Sequence, residues 1–257
     1  MSLLQQAIAL ATLSRKEYHR VVRIWGQTIL PPAINMALYF IIFGNLIGSR
    51  IGRMGGFDYK QYIAPGLIMM AVITNAYGNV VSSFFSAKIN RHLEEMLVAP
   101  MSNVTIVLGH MAGGIIRGVF VGLAVTAVAL LFTPLPFVHP LITVSVFLLC
   151  AAIFSLAGLI NGIVASNFDD VTIIPSFVLQ PLVYLGGVFY SIQMLPELAQ
   201  QISRLNPILY LVNAFRYGML GVADVPIGFA YLMMVLSVAV LFGTCVLMLN
   251  RGFRIRD

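Results

Sequence analysis

Charge is what this sequence has least of. Fifteen Lys or Arg and nine Asp or Glu make up 9% of 257 residues, where soluble domains carry about 25%. With 60% hydrophobic residues and a mean hydropathy of +0.94, too little polar side chain is left to cover a globule, which excludes a soluble domain. The three lysines, Lys16, Lys60 and Lys88, never follow glycine, so there is no phosphate-binding loop. No serine has a glycine two positions before it, so there is no nucleophile elbow. His19, His92, His110 and His139 form no metal-binding pair at helical spacing. Cys150 and Cys245 lie in apolar stretches and read as small buried hydrophobes, not a disulfide framework. No secretory signal is apparent, because the basic cluster 15–23 follows the apolar start. The reading is of a protein without covalent chemistry, cofactor or metal of its own.

What is present is a series of charge-free runs: 24–49, 61–87, 118–138, 140–168, 171–196 and 225–250. Each exceeds the roughly 20 residues that a helix needs to cross about 30 Å of hydrocarbon. The alternating pattern of a membrane barrel is absent. The fold class is therefore an all-α integral membrane protein with six predicted spans, at 25–48, 62–86, 109–132, 141–165, 171–190 and 227–249. Pro31-Pro32 predicts a kink or broken turn early in the first span. Residues 1–257 form one domain: an amphipathic helix to 24, six helices over 25–249, and a tail at 250–257.

With both termini cytoplasmic, Arg15, Lys16, Arg20, Arg23, Lys88, Arg91, Arg251, Arg254 and Arg256 fall inside. Arg50, Arg53, Lys60, Arg204 and Arg216 fall outside, so the bias follows the positive-inside rule. The formal charge of +6 then reads as topology and contact with anionic lipid, with no nucleic-acid partner. On a helical wheel, residues 10–25 place Arg15, Lys16, His19, Arg20 and Arg23 on one half and the apolar residues on the other, with Glu17 the only charge out of place. Such a helix is expected to lie along the headgroups. Residues 205–220 are mostly apolar, too short to cross, and carry Asn206-Pro207 and Arg216; a re-entrant pair of short helices on the extracytoplasmic side is expected there.

The stretch 87–100 is two-faced, with Ile89, Leu93, Met96 and Leu97 on one side and Lys88, Arg91, Glu94 and Glu95 elsewhere. It predicts a short cytoplasmic helix ended by Pro100, with Ser102 or Asn103 capping the next. Asp169-Asp170 sits at the inner turn between spans four and five and reads as a solvated turn or partner contact. Arg117 is the one charge within a span, in the frame Gly114-x-x-x-Gly118-x-x-x-Gly122. It either attracts an anionic group or pairs with a carboxylate, or it snorkels to the interface while the glycines pack within one subunit. Asn35, Tyr39, Asn75, Tyr77, Asn79, Gln180 and Tyr184 are polar or aromatic side chains inside spans. Lining a path and bonding between helices explain them equally. No Asp or Glu lies deep in a span, which weakens an ion-driven carrier or channel acting without an ATPase, although broken helices can hold ions with carbonyls.

Order and spacing together resemble the permease subunits of ABC-2 type exporters, in particular compact inner-membrane permeases of the multidrug or unassigned kind. The resemblance covers the whole chain and includes Tyr62-Ile63-Ala64-Pro65-Gly66 opening span two and NRHLEEMLVAP at 90–100. It continues with YLGGVFYSIQMLP at 184–196, Asn206-Pro207-x-x-Tyr210 and Phe215-Arg216-Tyr217-Gly218. It implies a bacterial inner-membrane homodimer around a substrate path, driven by two copies of a separate ABC ATPase that carries the ATP and magnesium. It further implies that Arg91, Leu93, Glu94, Glu95, Leu97 and Pro100 belong to a coupling helix, with Asp169 and Asp170 near the same partner. The family exports drugs, lipids or polysaccharides.

Overall fold

The computed structural model describes residues 3–99 and 101–253. Pro100 and the basic residues Arg254 and Arg256 lie outside them. The chain opens with α1 (Leu3–Arg23) and passes at Ile24, which leaves helical geometry (φ −108°, ψ 31°), into α2 (Trp25–Tyr39). The prolines predicted to break this span do not interrupt α2; irregularity comes later, in a π-helical stretch Phe40–Ile47 that leads to α3 (Gly48–Ile51). A two-residue hairpin, β1 (Arg53–Met54) against β2 (Phe57–Asp58), turns the chain into α4 (Tyr59–Ile89). Then come α5 (His92–Val98), α6 (Asn103–Phe132) and α7 (Pro140–Val164).

The fifth predicted span differs most from expectation. It consists of α8 (Phe168–Ile174), a π-helical stretch Pro175–Leu179 and α9 (Gln180–Tyr184). Together these are 17 residues, too few for a full crossing at 1.5 Å per residue unless the chain meets a thinned or protein-lined region. Pro175 and Pro181 explain the irregularity, since each removes an amide donor from the helical ladder. A 3₁₀ turn (Ile192–Met194), α10 (Glu197–Arg204), α11 (Pro207–Leu220) and α12 (Ile227–Asn250) complete the chain. Among the described residues five helical segments are long and apolar enough to cross a membrane: Trp25–Ile51, Tyr59–Ile89, Asn103–Phe132, Pro140–Val164 and Ile227–Asn250.

The core lies where α4, α6 and α7 meet, and α4 is its axis, buried on nearly all sides. Close approach there depends on small residues. A Cβ at Gly114 would strike Ser155 of α7 and Val80 of α4; one at Gly122 would strike the Phe147 ring of α7. Gly118 faces Ala151 and Val72. The glycine frame is thus a packing seam within one chain. α11 is inserted against α4, α7 and α12, and its far end is tied to the start of α7 by His139 N–H donating to the Gly218 carbonyl (2.7 Å).

Contacts also place α1. Instead of resting on headgroups alone, it runs alongside α6 in the same direction, with Gln6 at Ser102 and Thr105, Leu13 at Gly109 and Glu17 at Gly113. Leu13, Val21 and Glu17 are covered, while Leu3, Leu4, Ile8, Tyr18 and Val22 stay exposed along with Arg15, Lys16, His19 and Arg23.

Candidate functional site

A cavity of about 390 Å³ opens between α2, α4, α6 and the segment 168–184. From α2 come Gln27, Pro31, Asn35 and Tyr39, one per turn; from α4 come Leu67, Met70, Ala71, Thr74 and Asn75, which share one face by the same 3.6-residue arithmetic. Gln180 and Tyr184 of α9 form the opposite wall, and Arg117 and Val125 of α6 reach in from behind. The prolines leave the carbonyls of Gln27 and Thr28 without the amide donors a helix would supply, which adds acceptors to the α2 wall. Tyr39, Phe43, Tyr184 and Phe189 close one end as an aromatic cluster, with Phe43 and Phe189 4.7 Å apart between ring centres.

Five of the seven predicted polar positions therefore converge: Asn35, Tyr39, Asn75, Gln180 and Tyr184. Tyr77 and Asn79 do not join them. Tyr77 is on another face of α4, buried against α7, where a Cβ at Gly158 would sit 2.5 Å from the Tyr77 carbonyl oxygen. Asn79 is on the cavity side by periodicity but is covered by α1: Arg20 Nη2 donates to its carbonyl oxygen (3.0 Å) and its Oδ1 (2.8 Å).

That arginine belongs to a buried polar cluster. Arg20 donates to Glu17 Oε2 through Nε (3.1 Å) and Nη2 (2.8 Å), and Ser83 Oγ donates to Glu17 Oε1 (2.7 Å). Glu17 is only 1% exposed. The residue out of place on the wheel is thus the one that fastens α1 to α4. Gly113 makes room for it, since a Cβ there would lie 2.8 Å from the Glu17 side chain.

At the α5 end of the bundle, Leu93 is buried in a cluster with Val80, Phe84, Ile106 and Val107, while Arg91, Glu94, Glu95, Leu97 and Val98 face outward. Arg91 adopts a left-handed backbone (φ 60°) that turns the chain sharply from α4 into α5. The acids occupy the first turn of α5, where the helix dipole favours negative charge. Ser102 caps α6 by accepting from the Thr105 N–H (3.1 Å), whereas Asn103 donates to Asn250 Oδ1 (2.6 Å). Asp169 and Asp170 open α8 at this same end, brought there by Phe168 packing edge-on against Phe85 of α4, and Asp170 accepts from the Ser166 N–H (2.9 Å). Lys88 Nζ donates to the carbonyls of Ile163 and Ala165, locking α4 to the end of α7.

Arg216, counted on the outer side and expected within the short apolar stretch 205–220, is 1% exposed within α11. It donates to the carbonyls of Gly187 (2.6 Å) and Tyr62 (3.3 Å) and stacks 4.1 Å over the Tyr62 ring. Beside it Asp224 accepts from Ser191 Oγ (2.9 Å) and the Ile192 N–H (3.1 Å). A lone arginine inside an apolar stretch was the available signal.

Two regions are now in place: an open polar cavity walled by three membrane helices and a short fourth, and an outward-facing acidic helix at one end of the helix bundle. Residues 8–220 match the ABC-2 type transporter family. The chain belongs to that family. The inner membrane transport permease YadH of Escherichia coli K12 is 53% identical over 251 residues, covering 97% of this chain and 98% of that protein. Nodulation protein J of Rhizobium leguminosarum bv. viciae is 24% identical over 223 residues, 86% of each chain; that of Rhizobium meliloti is 22% identical over 215 residues. This ABC-2 permease is accordingly the membrane subunit of an ABC transporter, a transport subunit and not a catalytic one, and membership implies an ABC ATPase as its partner.

Proposed function

We propose that this permease is an exporter subunit of a bacterial inner membrane, acting as a homodimer on two ATPase copies, with the cavity between α2, α4 and 168–184 as half of the substrate path. The observation that carries this reading is the convergence of Asn35, Tyr39, Asn75, Gln180 and Tyr184 from three separate elements on one cavity. Tyr39 and Tyr184 bond to each other across the cavity end, while Asn35, Asn75 and Gln180 bring amides to the same cavity from three elements. The cavity is open on one side, and its flanks expose apolar side chains: Leu30, Ile34 and Leu38 on α2, and Ile173, Phe177 and Val178 on the opposite wall. A second copy set against these stripes would close the cavity and bury them.

In this reading 168–184 is the fifth of six crossings, and α10 and α11 form the re-entrant pair. Both termini are cytoplasmic, at the level of α5, in keeping with the basic residues of α1 and Arg251. The ATPase grips Arg91, Glu94, Glu95 and Leu97 on α5, with Asp169 and Asp170 beside it, while Leu93 roots α5 in the bundle. The cargo is a drug, lipid or polysaccharide that meets the path from the cytoplasmic side.

Mutating Glu94 and Glu95 together to Ala tests the assignment. Purified in mild detergent, the unaltered chain should carry a P-loop ATPase in stoichiometric amount, and the double variant should lose it while keeping the same melting temperature and oligomeric state. A double variant that retains both the ATPase and ATP-driven transport would move the coupling surface elsewhere.

A further inference from the structure

Within the polar cavity one group has no counterpart. Arg117 lies midway along α6, with fourteen residues before it and fifteen after it in the helix, and it forms part of the cavity wall. Its buried Nε has no hydrogen-bond partner, and among the described residues no carboxylate pairs with it; the ion pairs there are Arg20 with Glu17 and Arg53 with Asp58. Glu17 is fully engaged by Arg20 and Ser83. An uncompensated guanidinium at such depth is costly, and the cost falls when an anion occupies its donor fork.

Around it the cavity is divided by chemistry. Asn35, Asn75 and Gln180 offer amides, while Met36, Leu67 and Met70 offer an apolar surface that a hydrocarbon body would cover. We infer that the cavity binds an anionic amphiphile, its phosphate or carboxylate head held by Arg117 and its apolar portion laid on α2 and α4. This rests on the cavity being the path and narrows its cargo from a drug, lipid or polysaccharide to an amphiphile with an acidic head. A resident acidic lipid would supply the same chemistry as an exported molecule.

Dodecyl phosphate and dodecyl phosphocholine share a chain and differ in net head charge, so they isolate the inference. Binding of each to the purified full-length permease in dodecyl maltoside should favour dodecyl phosphate by about tenfold, the worth of one charge-assisted pair. R117Q should abolish the preference and R117K should keep most of it. N75D, which leaves Arg117 in place and sets a carboxylate in the same cavity, should weaken it too, so the result does not depend on R117Q folding. An absent preference in the unaltered chain, or one undiminished in both R117Q and N75D, overturns the inference. Competition by phosphatidylglycerol would assign the anion site to a lipid headgroup. Stimulation of ATP hydrolysis by dodecyl phosphate in the complex with the ATPase, lost in R117Q, would assign it to cargo. Arg117-dependent binding to which ATP hydrolysis is indifferent would keep the anion site and remove the path reading.

Discussion

At the scale of single residues, the most consequential placements are charges that an apolar sequence would do better without. Glu17 and Arg20 form a buried ion pair whose remaining acceptors and donors are met by Ser83 and Asn79. Removing one member of such a pair strands the other, at about 3–5 kcal/mol for fully buried cases. Arg20 is partly exposed, so the lower end is expected for Glu17→Ala, with Glu17→Gln losing less because its one amide oxygen still accepts from Arg20 while its NH2 can donate to Ser83 Oγ. Thermal unfolding in detergent would rank the three proteins in that order; equal melting temperatures for Glu17→Ala and the unaltered chain would contradict it. On a helical wheel Glu17 was visible as an anomaly but its meaning was not. Periodicity reports which face of a helix is polar, never which neighbour that face meets. Arg216 carries the same lesson: the sequence shows one arginine in an apolar stretch, and only the fold supplies the carbonyls of Gly187 and Tyr62 that justify it.

Among the helices, the long ones were legible because lipid imposes a length and a composition that any sequence must show. The runs around α4, α6, α7 and α12 were found to within a few residues, except where α6 begins six residues before the predicted span. The pattern of 87–100 marked α5, although of its expected apolar face Ile89 ends α4 and Leu97 points outward; of the two caps offered for α6, Ser102 and not Asn103 is used. The short segment 168–184 was not legible, since its apolar run continues to residue 196 while its backbone does not. Prolines at 175 and 181 were the readable warning. Of the path candidates, Tyr77 and Asn79 failed because polarity inside a span has two causes, and sequence does not separate a cavity from a buried bond. The seating of α1 depends on two glycines of α6, Gly109 against Leu13 and Gly113 against Glu17. Gly113→Val should overpack Glu17 against α6, costing about 1–3 kcal/mol, whereas Gly78→Val, where an added Cβ would meet nothing within 4 Å, should not release α1. Protease accessibility of residues 3–23 in membrane vesicles would register the difference; equal cleavage of both variants would show that Gly113 does not govern the seating.

For the molecule as a whole, the open side of the cavity is the feature that calls for a second copy. Cys150 and Cys245 are fully buried, so cysteines introduced on the exposed stripes report without interference. Ile34→Cys and Phe177→Cys, placed on facing flanks of the opening, should yield an oxidant-dependent dimer on non-reducing gels, while Leu232→Cys, exposed on α12, should not. Dimer formation through Leu232→Cys alone would place the interface on the opposite face.

Finally, α4 runs unbroken for 31 residues, about 46 Å at 1.5 Å per residue. One end bears α5 and the Lys88 clamp to α7; the other passes beneath Arg216 and Tyr62, and the floor of the cavity lies between. Such a rod conveys a push along its length from α5 to the floor, and its one proline, Pro65, which removes an amide donor from the ladder, lies beyond that floor. The π-helical stretches at 40–47 and 175–179, by contrast, interrupt regular helical bonding beyond α2 and within the facing wall. Force arriving from the ATPase side would therefore leave the floor in register and be spent on the walls. On the proposed coupling at α5, the expectation is that α4 carries the stroke and the π-helical stretches change the shape around whatever is bound.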